Sequence, residues 1–172
     1  MILRLFFSLK FTPEQQQLLL PYQQQALDLC PAAKAVDVDN LHLTLFFLGQ
    51  VDEAAKAQLI AAASSIRQSA FSLTLDTLSG FSGPKIVYLA PSRAPVSLLT
   101  LQQQIALLCK TAGFSDIHDR YQPHITLARQ AVLGQSLPVS PTTLQVREFA
   151  LYQSGQFEGR LQYRPLQRFS LL

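Results

Sequence analysis

Short apolar runs of strand length alternate along this chain with longer stretches that carry helix-capping signals. Residues 3–9 mix leucine and phenylalanine over a short run and predict a first strand. Thr12-Pro13-Glu14 opens a helix, with Thr12 as N-cap and Pro13 in the first turn. That helix should run to about residue 29, glutamines outward, and end at Pro31. Residues 41–48 predict a strand closed by Gly49, after which Asp52 caps an alanine-rich helix to about residue 67. Residues 71–78 alternate apolar with polar, as a strand does, and 86–90 predict another after the turn at Ser82-Gly83-Pro84. A third helix is expected over 95–111, stopping near Gly113. Residues 124–128 predict a short strand entered through Pro123, and 144–154 with 162–169 predict the two arms of a hairpin or sheet pair. The order β-α-β-α-β-β-α-β-β-β, with no glycine-rich phosphate loop, disfavours a doubly wound nucleotide fold and predicts an α+β fold. No low-complexity linker divides residues 1–172, which read as a single domain or one domain of two intimate lobes.

Composition narrows the class. With 48% hydrophobic and 15% charged residues the chain is far from the composition of a disordered protein. Its apolar runs fall short of the roughly 20 residues a membrane-spanning helix needs. The apolar start carries Arg4 inside the run and lacks a small-residue cleavage site, so it reads as a strand and not as a leader. Cys30 and Cys109 form neither a disulfide framework nor a zinc knuckle, and read as free thiols of a cytoplasmic protein in a reducing compartment. The net charge of +3 is unevenly spread: residues 120–172 carry six arginines, no lysine and two acids, for +4, and residues 1–119 carry −1. Guanidinium groups grip phosphate oxygens bidentately, so the arginine excess suits a phosphate partner; on charge alone a solvated basic face explains it as well.

A short repeat changes the picture. Leu41-His42-Leu43-Thr44-Leu45 returns as Pro123-His124-Ile125-Thr126-Leu127, 82 residues later. Residues i and i+2 of a strand share a face. His42 and Thr44 therefore lie side by side, with Leu41, Leu43 and Leu45 behind them, and His124 and Thr126 do likewise. Two such strands brought together would surround one ligand with two imidazoles and two hydroxyls. A neutral imidazole can take a proton from an attacking hydroxyl or water while an imidazolium gives one to a leaving oxygen. The Thr44 and Thr126 hydroxyls can hydrogen-bond non-bridging phosphate oxygens as charge grows on them. One His-x-Thr strand is weak evidence; two, using two of the chain's three histidines, point to phosphoryl chemistry.

The segments Leu41-His42-Leu43-Thr44-Leu45-Phe46-Phe47-Leu48-Gly49 and Pro123-His124-Ile125-Thr126-Leu127-Ala128-Arg129 resemble the two signature motifs of the two-histidine phosphoesterases. More narrowly, the chain resembles the bacterial and archaeal RNA 2′,3′-cyclic phosphodiesterases, also called 2′-5′ RNA ligases. Arg4-Leu5-Phe6-Phe7-Ser8-Leu9 is similar to that family's first strand, and residues 151–166, with Ser154, Gly159 and Tyr163, to its last strand pair. The resemblance implies a bilobal α+β fold with pseudo-twofold symmetry, in which two antiparallel sheets face a central cleft and helices lie on the outer faces. It implies hydrolysis of a terminal 2′,3′-cyclic phosphate of RNA to a 2′-phosphate, without metal or other cofactor, and in relatives a reversible 2′-5′ joining of RNA ends. By analogy His124 is the proton acceptor acting on water and His42 the proton donor to the 3′ oxygen. RNA ends, tRNA fragments among them, or small cyclic nucleotides are the implied partners, and nothing calls for more than a monomer. Arg129 matches a family position and is a candidate phosphate ligand, yet simple alternation sets it on the face opposite His124 and Thr126. It reaches the site only if the strand ends or bulges near Ala128. The tract Ala35-Val36-Asp37-Val38-Asp39-Asn40 lacks the aromatic expected before the first motif, and the chain has no tryptophan, which leaves the base-stacking surface open.

Other residues carry weaker signals. His118 reads as part of a surface turn. Phe7, Phe46, Tyr121 and Tyr163 are candidates for stacking a base, with core packing the plainer role for each. Two competing classes are a nucleotide- or RNA-end-binding module without turnover, which would not need a paired acid and base, and a metal hydrolase using the three histidines, for which the spacing gives no compact ligand cluster. A phosphodiesterase acting on another small phosphoester remains a third.

Overall fold

The computed structural model describes residues 1–116 and 120–172; His118 lies outside them. In chain order the elements are β1 (Ile2–Leu9), α1 (Pro13–Leu18), α2 (Leu20–Leu29), β2 (Lys34–Ala35), a single 3₁₀ turn (Val38–Asn40), β3 (Thr44–Asp52), α3 (Glu53–Ala63), β4 (Phe71–Phe81), β5 (Ile86–Ala90), α4 (Val96–Thr111), β6 (Ile125–Arg129), β7 (Leu137–Val146), β8 (Glu148–Phe157) and β9 (Arg160–Ser170). They build two sheets, ordered β3-β1-β8-β9 and β2-β6-β5-β4-β7, and every pairing is antiparallel. The α+β expectation of two antiparallel sheets is met.

The caps act as the sequence proposes. The Thr12 side chain accepts from Gln15 N in a reciprocal capping box, and Asp52 accepts from Ala55 N. Several boundaries differ. The first helix is two, with the break at Leu19 ahead of Pro21, whose missing N–H and ring cannot continue the ladder. Gly49 does not end its strand: it takes the left-handed conformation, φ +79°, inside a β-bulge, and β3 continues to Asp52. The second helix ends at Ala63, short of residue 67. The stretch expected as one strand over 144–154 is two strands in different sheets: Val146 pairs with Phe71 in one and Glu148 with Ser170 in the other, and only Arg147 separates them. Strand β2, two residues long, and residues 137–143 of β7 were not expected from the pattern; β7 carries Pro138 and Pro141, which suit an edge strand.

Two of the helices cross to back the sheet they did not leave. α4 follows β5 of the five-stranded sheet but packs on β3, beside α3, and α2 follows β1 of the four-stranded sheet but packs on β5 and β6. The five-stranded sheet curls around its helices. Gln15 and Tyr22 donate to the carbonyls of Gln145 and Ser140 on β7, and Gln23 reaches across to Val36 and Leu127 at the other end of the sheet. The core is aliphatic with a phenylalanine cluster: Phe7, Phe149 and Phe169 pack together behind the four-stranded sheet, while Leu43, Leu45, Ile125 and Leu127 lie buried behind the two motif strands. Burying each such side chain contributes roughly 1.5–3 kcal/mol, which fixes the register of those strands against a one-residue slip.

Candidate functional site

The two His-x-Thr segments meet. Leu43 and Ile125, the residues between each histidine and its threonine, form an isolated antiparallel bridge between the two sheets. Both are fully buried, so their neighbours in sequence face the other way. The register of the bridge sets His42 across from Thr126 and Thr44 across from His124. The histidines are then diagonal neighbours about 7–8 Å apart at the backbone, a gap suited to one phosphate. The backbone here is tightly held: the Leu43 carbonyl accepts from Leu9 N and from the buried Ser8 hydroxyl, and the Tyr121 hydroxyl donates to the Thr44 carbonyl, tying one motif to the other.

The histidines are set alike. Each Nδ1 lies against the carbonyl two residues earlier, His42 at 2.8 Å from Asn40 and His124 at 2.7 Å from Gln122. A carbonyl can only accept, so Nδ1 carries the hydrogen and, in the neutral ring, Nε2 is the basic nitrogen. Aromatic rings hold each imidazole: Phe6 and Tyr163 lie 5.1 and 4.8 Å from His42, Phe81 and Tyr88 lie 5.1 and 5.3 Å from His124. Asn40 serves His42 twice, since its buried amide also donates to the Leu161 carbonyl and so pins the turn before His42 to β9, the strand that carries Tyr163.

A bulge follows each motif at the same place. Against β1, Thr44 and Phe46 pair with successive residues and Leu45 is the extra one; against β5, Thr126 and Ala128 do so and Leu127 is the extra one. Each bulge puts two consecutive residues on the core side, Leu45 with Phe46 and Leu127 with Ala128, all buried. The alternation is thereby shifted, and the residue five after each histidine turns to the cleft. These are Phe47 and Arg129. Simple alternation therefore fails for Arg129, through a bulge at Leu127. The charge of Arg129 is felt at His42. Buried glutamines from the backing helices reach the carbonyls of both bulge residues: Gln102 of α4 donates to the Leu45 carbonyl at 3.3 Å, and Gln23 of α2 donates at 2.9 Å to the Leu127 carbonyl, which also accepts from Val36 N.

Electrostatics separate the two lobes' contributions. Burial holds the His42 imidazole down at about 4; the Asn40 carbonyl pulls it upward, and the positive charges of His124 and Arg129 push it further down. His42 is therefore neutral at pH 7 when the cleft holds no anion. A cavity of about 120 Å³ lies beside Thr44 and His124, walled by Phe47, Phe81 and Tyr121. Among the four stacking candidates, Phe7 is core, Phe46 is buried behind the bulge, Tyr121 is committed to Thr44, and Tyr163 lies against His42. Phe6, Phe81, Tyr88, Asn40, Gln23 and Gln102 were not singled out in the sequence. Gln102 left a readable signal: it interrupts the apolar stripe of Leu98, Leu101, Ile105 and Cys109 on its helix. Among the described residues no three His, Cys, Asp or Glu side chains gather as metal ligands.

Residues 25–155 match the model of the 2′-5′ RNA ligase superfamily. The chain is 33% identical to the RNA 2′,3′-cyclic phosphodiesterase of Escherichia coli (strain K12), over 98% of this chain and 96% of that one. It is 28% identical to the RNA 2′,3′-cyclic phosphodiesterase of Geobacillus stearothermophilus, over 97% of this chain and 57% of that longer one. The solved structure of E. coli LigT complexed with 3′-AMP superposes with a TM-score of 0.89 at 31% identity, covering 99% of both chains. With a paired His-x-Thr cleft between two antiparallel sheets, and relatives matched over nearly its whole length, this chain belongs to the 2′-5′ RNA ligase superfamily.

Proposed function

We propose that the chain is a metal-independent RNA 2′,3′-cyclic phosphodiesterase, and that His42, His124, Thr44, Thr126 and Arg129 act on one phosphate. The observation that carries this reading is the Leu43–Ile125 bridge, which brings the two motifs to one place with both Nε2 atoms as the reactive nitrogens. In this mechanism His124 takes a proton from water as its oxygen attacks phosphorus. The bond from phosphorus to the 3′ oxygen breaks, and His42, protonated, gives its proton to that oxygen. The products are a 2′-phosphate and a free 3′-hydroxyl; His124 then returns its proton to solvent. Thr44 and Thr126 bond the non-bridging oxygens, and Arg129 balances their charge. The bound phosphate anion supplies the opposite charge that His42 needs to hold its proton. Run in the same direction with a ribose 5′-hydroxyl in place of water, the same groups would join RNA ends through a 2′-5′ linkage, and run backwards they would cleave it.

Both histidines come from one chain, so a monomer would suffice. Both cysteines are free thiols, Cys109 buried, which suits the cytoplasm; among the described residues no helix is long and apolar enough to cross a membrane. The test is incubation, in excess chelator, with an RNA oligonucleotide ending in a 2′,3′-cyclic phosphate, followed by identification of the terminal phosphate. A 2′-phosphate, absent with His42→Ala, is expected. Activity abolished by chelator, or binding of the RNA end without turnover, would overturn the reading.

A further inference from the structure

On the cleft face of the four-stranded sheet, cross-strand pairing arranges side chains in rows. Phe47, Phe6 and Tyr152 form one, directly paired across β3, β1 and β8, and Phe6 packs against His42. The next row outward is polar: Gln50, Arg4 and Ser154. Arg4 precedes Phe6 by two residues on the same face of β1, about 7 Å along the strand. Its guanidinium lies 4.8 Å over the Phe47 ring. Among the described residues Arg4 makes no ion pair, and it is exposed.

The pseudo-symmetry gives this arrangement its meaning. The residue five after the second histidine is Arg129. The residue five after the first is Phe47, and the cation that its lobe brings to that position comes from β1, stacked on the ring. A guanidinium held over a ring keeps N–H groups available for a bidentate grip on two phosphate oxygens. We propose that Arg4, braced by Phe47, is a phosphate subsite for the nucleotide preceding the RNA terminus, so that the protein prefers a polynucleotide end over a mononucleotide. This rests on the cleft's acting on an RNA cyclic phosphate. In this arrangement the terminal phosphate sits between the histidines, and the preceding phosphodiester extends past Phe6, which packs against His42, towards Arg4 one same-face position further along β1. Gln50 and Ser154 flank that phosphodiester as further polar contacts. A 2′,3′-cyclic mononucleotide has no such phosphodiester and gains nothing from Arg4.

The experiment compares the native protein with Arg4→Gln and Arg4→Lys on two substrates, a 2′,3′-cyclic mononucleotide and a short single-stranded RNA ending in the same nucleotide and cyclic phosphate. For Arg4→Gln, kcat/KM on the RNA should fall about tenfold, carried by KM, with the mononucleotide unaffected. The slope of log(1/KM) for RNA against log salt should become shallower by about 0.7, the release expected for one lost phosphate contact on a single strand. Arg4→Lys should retain the salt slope and lose part of the affinity, because it keeps the charge without the fork. Equal losses on both substrates, or no loss on either, would overturn the subsite. Failure of the native protein to turn over either substrate would instead count against the proposed reaction.

Discussion

His42 is prepared for its task by opposing influences. Burial, and behind it the charges of His124 and Arg129, hold its proton affinity low, at about 4 in the open cleft. An imidazole that is to donate at neutral pH must be raised, and the substrate's own phosphate is the anion that raises it. The sign follows. For a general acid, activity is lost as pH rises through its pKa. The alkaline limb of kcat/KM, which reports the free protein, should therefore lie at lower pH than the alkaline limb of kcat, which reports the complex. Steady-state rates from pH 4 to 9 check this. Limbs at the same pH, or a kcat limb displaced downward, would mean that His42 is not the donor. The histidine pair was legible in the sequence because His-x-Thr at period two needs nothing beyond strand geometry. The depression of His42 was not, because it arises from neighbours on other strands.

The elements owe their precision to two irregularities. Leu45 and Leu127 are bulge residues, and without them Phe47 and Arg129 would point into the core side of their strands. Strict alternation placed Arg129 on the wrong face for this reason: a bulge depends on the partner strand's register and on what satisfies the displaced carbonyl, and neither is written locally. Gln102 donates to the Leu45 carbonyl, and Gln23 joins Val36 N in donating to the Leu127 carbonyl; each is a polar residue buried on a helix face that otherwise packs apolar side chains. Replacing Gln102 by leucine keeps its volume but strips the Leu45 carbonyl of a donor. The expected cost is about 1–3 kcal/mol in a urea unfolding midpoint, with the slope unchanged. A midpoint equal to the native one would mean that Gln102 does not support the bulge. The helix caps and short strands, by contrast, were visible in the sequence because Thr12 and Asp52 act on backbone groups three residues away.

Across the whole molecule, the chain repeatedly passes between two sheets that share one cleft. α2 and α4 each back the sheet they did not leave, and at Arg147 a single residue carries the strand β7 of one into β8 of the other. A reading of local pattern merges those strands, since nothing in the apolar alternation of 144–154 marks a change of sheet; the return of β4 to pair with β7 and of β1 with β8 marks it only in three dimensions. What the molecule gains is a cleft whose two walls are built separately and joined at Leu43 and Ile125, with each histidine set just ahead of a strand of its own sheet and its Nδ1 held by a backbone carbonyl. The account's central claim is that these two imidazoles work as one acid–base unit. Its most direct test is the kcat of the native protein, His42→Ala, His124→Ala and the double variant on a cyclic-phosphate-ended RNA, with circular dichroism to confirm folding. Each single variant should lose about 10²–10⁴-fold, and the double variant no more than the worse single one, since removing either half disables the unit. Near-native turnover in either single variant, or losses that multiply in the double one, would contradict it.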